Sequence, residues 1–110
     1  MMTILRPVLV SVCLTVLPGV AHGADAAAGL AKAKEICQAC HGLDGNSATA
    51  DYPKLAGQYP DYLAKALRDY KSGARKNPIM GGMAGALTTA DIDNLSAYYA
   101  SQPAALSRKY

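Results

Sequence analysis

The five residues Cys37-Gln38-Ala39-Cys40-His41 constrain this chain more than any other stretch. Two thiols three positions apart at the end of a helix lie on one face, and an imidazole follows at once. A thioredoxin-like dithiol would follow a strand in a βαβ unit, and no strand pattern precedes Cys37. A structural zinc site needs four ligands, and beyond residue 23 the chain offers two Cys and one His. A plain disulfide between Cys37 and Cys40 is sterically tight and leaves His41 without a role.

The reading left is the Cys-x-x-Cys-His attachment pattern of c-type haem. Both sulfurs reach the two vinyl groups on one side of a porphyrin and form thioethers, and His41 is then held under the ring as proximal iron ligand. Composition agrees with a core completed by a cofactor. The 110 residues suffice for one domain, and the chain has no Trp, no Phe and 7 Tyr, so large core-filling side chains are scarce.

Residues 1–23 are of a different kind. Arg6 is their one charge, the apolar stretch runs from Val8 to Leu17, Pro18-Gly19 interrupts it, and Ala21-His22-Gly23 ends it with small residues. This is the anatomy of a cleaved secretory signal, too short to span a membrane, with Cys13 discarded along with it. The expected division is 1–23 signal peptide and 24–110 mature domain, placed in the periplasm, where covalent haem attachment takes place. Without Arg6, 10 basic residues face 8 acidic ones, a net +2, with no run of five like charges. No basic stripe interleaved with stacking aromatics is present, so a nucleic-acid function is not expected, nor is stable membrane insertion after cleavage.

The mature part is all α in pattern. A first helix starts at the N-cap Asp25 and runs to about Cys40, with Leu30, Ala33 and Cys37 as its apolar stripe and Ile36 and Cys40 alongside; Gly29 marks a close backbone crossing. A second runs from Pro60 to the stop at Gly73, with Leu63, Leu67 and Tyr70 on one face and a Lys65–Asp69 pair on the other. A third is marked by Thr88 and Asp91 as N-cap and N3, by Leu87 and Ile92 as a staple, and by Pro103 beyond its end. Two long loops, 42–58 and 74–87, remain, and loops of such length in a small domain wrap or do something.

The sixth iron ligand follows by elimination. His22 leaves with the signal, so the strong partners remaining are the thioethers of Met80 and Met83, both in the Gly-rich loop Asn77-Pro78-Ile79-Met80-Gly81-Gly82-Met83. Together with that loop, the haem motif, Gly45-Asn46-Ser47, Pro53-Lys54-Leu55-Ala56-Gly57-Gln58 and the stretch from Asp91-Ile92 to Tyr98-Tyr99-Ala100-Ser101 resemble class I cytochromes c. The likeness is to small bacterial periplasmic cytochromes and to single halves of dihaem ones, and it covers nearly all of 25–102. It implies a three-helix core around one haem c, the first and last helices crossing near Gly29, Met80 as distal ligand and Met83 as a packing residue. Relatives usually carry a further proline where this chain has Ala48-Thr49-Ala50, so the carbonyl that accepts the His41 Nδ1 proton is expected from Ala48 or a neighbour, in a less rigid loop.

A haem with both axial positions filled exchanges single electrons and does no substrate chemistry. The expected role is that of a periplasmic one-electron carrier, not an enzyme, a monomer or weak dimer serving redox-protein partners. Lys54, Lys71, Arg75 and Lys76 flank the haem loops and are placed to steer an acidic partner. The alternatives are a permanent haem subunit of a larger dehydrogenase and an open-site haem protein that binds gas or peroxide.

Overall fold

The computed structural model describes residues 12–13 and 23–105. The segment read as a signal peptide therefore lies outside the described residues except for 12, 13 and 23. Among the described residues five helices follow one another: α1 (Ala26–Ile36), α2 (Gln38–His41), α3 (Pro60–Ser72), α4 (Pro78–Gly85) and α5 (Thr89–Ser101). Among the described residues there is no strand, and no helix is long and apolar enough to cross a membrane.

Asp25 caps α1 as its side-chain chemistry predicts, accepting from Ala27 N–H at 2.9 Å and Ala28 N–H at 3.2 Å. Its own N–H donates to Asn94 Oδ1 at 2.8 Å, which ties the start of α1 to the middle of α5. The two helices cross at Gly29, where a Cβ would sit 2.0 Å from the Asn94 carbonyl oxygen. No residue with a side chain fits there without moving one helix, and this is the close approach that offsets glycine's poor helix propensity.

The expected single helix from Asp25 to Cys40 is in fact two. Cys37 N–H still bonds back to Ala33 O at 3.0 Å, and the Cys37 carbonyl then accepts from His41 N–H at 3.1 Å and Cys40 N–H at 3.3 Å. Cys37 thus ends α1 and caps α2, with φ −103° and ψ −34°. The restart changes the helical phase, which periodicity alone does not reveal.

A second difference lies in the supposed loop 74–87, which contains α4. Asn77 caps it, accepting from Ile79 and Met80 N–H at 3.0 Å each, and Pro78 takes the first position, where no amide donor is needed. Three glycines within eight residues argue against a helix by propensity; packing of α4 on α3, with Ala84 fully buried, overrides them. The third expected start is as read. Thr88 Oγ1 accepts from Asp91 N–H at 3.1 Å, Asp91 Oδ2 accepts from Thr88 N–H at 3.0 Å, and the staple residues Leu87 and Ile92 are both buried.

α1 packs on α5, and α3 packs on both α4 and α5. The core they enclose is made of Ala33, Leu63, Ala64, Leu87, Ile92 and Leu95 with Tyr98 and Tyr99. On α5, Ile92, Leu95 and Tyr99 form a buried stripe, and Tyr98 joins it.

Candidate cofactor site

His41 ends α2 and is 7% exposed. Its Nδ1 lies 2.8 Å from the carbonyl oxygen of Pro53. A carbonyl can only accept, so Nδ1 carries the proton and Nε2 is left with its lone pair. The acceptor is therefore Pro53, not Ala48 or its immediate neighbours. The reason is a fold-back: Gly45 O accepts from Leu55 N–H at 2.7 Å and Ala56 N–H at 3.1 Å, which draws Pro53 in towards the imidazole while Ala48, Thr49 and Ala50 stay exposed. Gly45 permits this twice over, having φ 76° and lying where a Cβ would meet the Tyr99 ring at 2.7 Å.

Further contacts hold the histidine's loop. Ser47 N–H donates to His41 O at 2.9 Å, and Tyr98 Oη donates to Leu43 O at 2.6 Å. Asn46 links the same loop to the chain beyond α5: its side-chain NH2 donates to Pro103 O at 3.0 Å, and its Oδ1 accepts from Ala105 N–H at 2.7 Å. Tyr52 meets the His41 ring edge-on, with centroids 6.4 Å apart and planes at 63°. Tyr52, Asn46 and Tyr98 were not singled out for these roles from the sequence. Tyr98 offered a signal, a hydroxyl on the buried side of α5 that must find an acceptor; for Tyr52 none was available.

His41 and Cys37 open on a cavity of about 240 Å³ between α3, α5 and the loops. Its walls are largely aliphatic, with Leu55, Leu63, Leu67 and Leu95, and Met80 lines it from the first turn of α4. Cys37 and Cys40 are both partly buried free thiols, and Cys40 stands outside the cavity lining. Burial pushes the Cys37 thiol up, and burial first, then the neighbouring Cys37, pushes the Tyr99 phenol far above its ordinary value. Met83, expected as a packing residue, is 43% exposed and does not line the cavity. Met80 lines the cavity, whereas Ile79 and Met83, one turn apart on α4, are both exposed.

The family model described as Cytochrome c matches residues 26–102. The chain belongs to the cytochrome c family. It is 49% identical to cytochrome c4 of Pseudomonas aeruginosa over 100 residues, which cover 89% of this chain and 49% of that one. It is 43% identical over 81 residues to cytochrome c-554(548) of Halomonas halodenitrificans, covering 71% of this chain and 96% of the relative. The crystal structure of reduced recombinant cytochrome c4 from Pseudomonas stutzeri superposes with a TM-score of 0.70 at 41% identity, over 77% of this chain and 48% of that one. The chain thus spans about half the length of the cytochromes c4 it matches and nearly all of the shorter Halomonas cytochrome. Membership makes covalently held haem c the cofactor of this cytochrome c domain. The residues present fit that group: two free thiols at the attachment spacing, an imidazole with a free Nε2, a thioether and an aliphatic cavity.

Proposed function

We propose that this domain is a one-electron carrier of the periplasm, in which Cys37 and Cys40 would hold haem c through thioethers and His41 Nε2 and Met80 Sδ would bind its iron. The observation that carries this reading is that His41 and Met80 line one apolar cavity, with the imidazole already committed through Nδ1 to the Pro53 carbonyl. When bound, the haem supplies reversible exchange of one electron between Fe(II) and Fe(III).

The protein's own residues set the conditions for that exchange. The Pro53 carbonyl fixes the tautomer of His41 and raises the basicity of Nε2. Tyr52 limits the tilt of the ring. The leucines of α3 and α5 exclude water, and with both His41 and Met80 on the iron no position would be left for a substrate. Met80 is preferred to Met83 because Asn77 anchors the first turn of α4 and so holds Met80 at the cavity wall. Residues 1–23 act as the export signal, and 24–110 form the exported domain. Its partners are a quinol-oxidising complex or a dehydrogenase on the donor side and a terminal acceptor on the other, approached as a monomer or weak dimer.

The test is the absorption spectrum of the protein matured in a periplasm. A sharp low-spin spectrum with the weak Met-to-Fe(III) charge-transfer band is expected, lost in Met80→Ala, retained in Met83→Ala and unmoved by carbon monoxide in the reduced wild type. A high-spin spectrum that shifts at once with carbon monoxide would replace the carrier with an open-site haem protein. One observation favours a second reading as permanent subunit of a dehydrogenase. Ile79 and Met83, one turn apart on α4, are 58% and 43% exposed beside the site, an apolar face a lasting partner would cover. Co-purification with a large subunit distinguishes it from a free carrier.

A further inference from the structure

The segment Ala48-Thr49-Ala50-Asp51-Tyr52-Pro53-Lys54 is exposed at every residue, yet two of its members touch His41, which is 7% exposed. The Pro53 carbonyl oxygen lies 2.8 Å from Nδ1, and the Tyr52 ring, itself 37% exposed, meets the imidazole edge-on. The surface is thus one hydrogen bond away from the residue read as the proximal iron ligand.

The segment is fixed at both ends. Before it, Ser47 N–H donates to His41 O at 2.9 Å; after it, Leu55 N–H and Ala56 N–H donate to Gly45 O at 2.7 and 3.1 Å. Within it, Thr49 O accepts from Ser47 Oγ at 2.8 Å. Ala48, Ala50 and Pro53 have no rotamer freedom to lose, so a partner landing on them meets a surface that costs little entropy to order.

Charge identifies the partner. Asp51 and Lys54 flank Tyr52-Pro53, one acidic and one basic. Among the described residues neither is in an ion pair, whereas Lys32, Lys65 and Arg68 each are. The face is therefore neutral and self-complementary: about a two-fold axis, Asp51 of each copy meets Lys54 of the other, as an isologous contact requires. The edge around α4 offers no such match. From residue 70 to residue 90 the charged side chains are Lys71, Arg75 and Lys76, all basic, so two copies meeting there repel.

We propose that the segment 48–54 is the face on which two copies of this chain meet in a transient two-fold contact, and that Tyr52 and Pro53 are the links by which one electron passes between them. The inference rests on the haem reading above. In each encounter one electron leaves the ferrous copy and enters the ferric one. No atom or proton is transferred, and the two copies exchange oxidation states.

Two measurements on the haem-loaded full chain test this, and the first involves no electron transfer. In the fully reduced protein, the NMR signals of Ala48, Ala50 and Tyr52 are expected to shift with protein concentration, while those of the exposed Ile79 and Met83 stay fixed. Asp51→Lys and Lys54→Asp each give the face a single sign of charge, and each variant alone is expected to lose the shifts. With Asp51→Lys carrying the isotope label, its signals regain the shift on adding Lys54→Asp and not on adding Lys76→Asp. In half-oxidised samples, line broadening gives the self-exchange rate. It is expected to fall about tenfold in Asp51→Lys at low salt and to recover at high salt. Tyr52→Ala slows it at every salt concentration with the low-spin spectrum kept, and Tyr52→Phe does not. If Tyr52→Ala fails to mature, the charge variants still read the face. Shifts confined to Ile79 and Met83, or none up to millimolar concentration, in a low-spin wild type overturn the proposal and leave the carrier reading intact. A wild type that takes up no haem overturns both.

Discussion

His41 shows how much of a ligand's behaviour is set by atoms that never touch the metal. Its proton is held by a carbonyl twelve residues on, and its loop is fastened by Tyr98 from the opposite end of the sequence. Replacing Tyr98 by Phe removes the bond to Leu43 O and leaves that carbonyl without the partner; the expected loss is about 1 kcal/mol in denaturant unfolding. The haem spectrum is expected to remain low-spin, since the contact orients the loop and does not supply a ligand. At this scale spacing named Cys37, Cys40 and His41, elimination left Met80 and Met83, and only the resemblance to class I cytochromes c favoured Met80. The sequence did not name Pro53 as proton acceptor, because the fold-back onto Gly45 is a contact between two loops with no periodic signal.

The helices owe their limits to local chemistry and their places to one another. Thr88→Ala removes half of a reciprocal cap and is expected to cost about 1 kcal/mol in thermal or denaturant unfolding. The Asp91 carboxyl is held below the usual range, first by the Thr88 backbone N–H and then by the Thr88 hydroxyl, Lys32 and Lys71. A depressed folded pKa contributes stability that is complete above the ordinary carboxylate value of about 3.9 and is lost as pH falls through the lower folded value. Asp91→Asn is therefore expected to lower stability at neutral pH and to flatten its decline in acid, as an unfolding series from neutral to strongly acidic pH would show. At the crossing of α1 and α5, Gly29→Ala forces a Cβ onto the Asn94 carbonyl and is expected to cost about 1–3 kcal/mol by overpacking. An unchanged midpoint would show that the two helices can move apart freely.

Seen whole, the charge around the cavity is divided between separate tasks. Lys71, grouped by sequence with Arg75 and Lys76, is turned to the Leu87 carbonyl and is not available to a partner in the same way. Lys54 and Lys76 are both exposed. A Lys54→Gln/Lys76→Gln variant is expected to receive electrons more slowly from an acidic partner at low salt and to show a smaller salt slope than wild type, whereas Lys71→Gln changes that slope less. Stopped-flow rates over a salt series check this, and a slope equal to wild type in the double variant would remove the steering role.

The sequence by itself determined the chemistry and most of the secondary structure. Cys-x-x-Cys-His, the caps at Asp25 and Thr88 and the stop at Gly73 are local patterns whose physical meaning does not depend on distant residues. Only the tertiary structure decided that α1 breaks at Cys37, that a glycine-rich segment forms α4, that Pro53 takes the imidazole proton and that Arg75 and Lys54 line one wall. Each of these depends on packing between segments far apart in the chain, where burial outweighs the local propensity that a sequence displays.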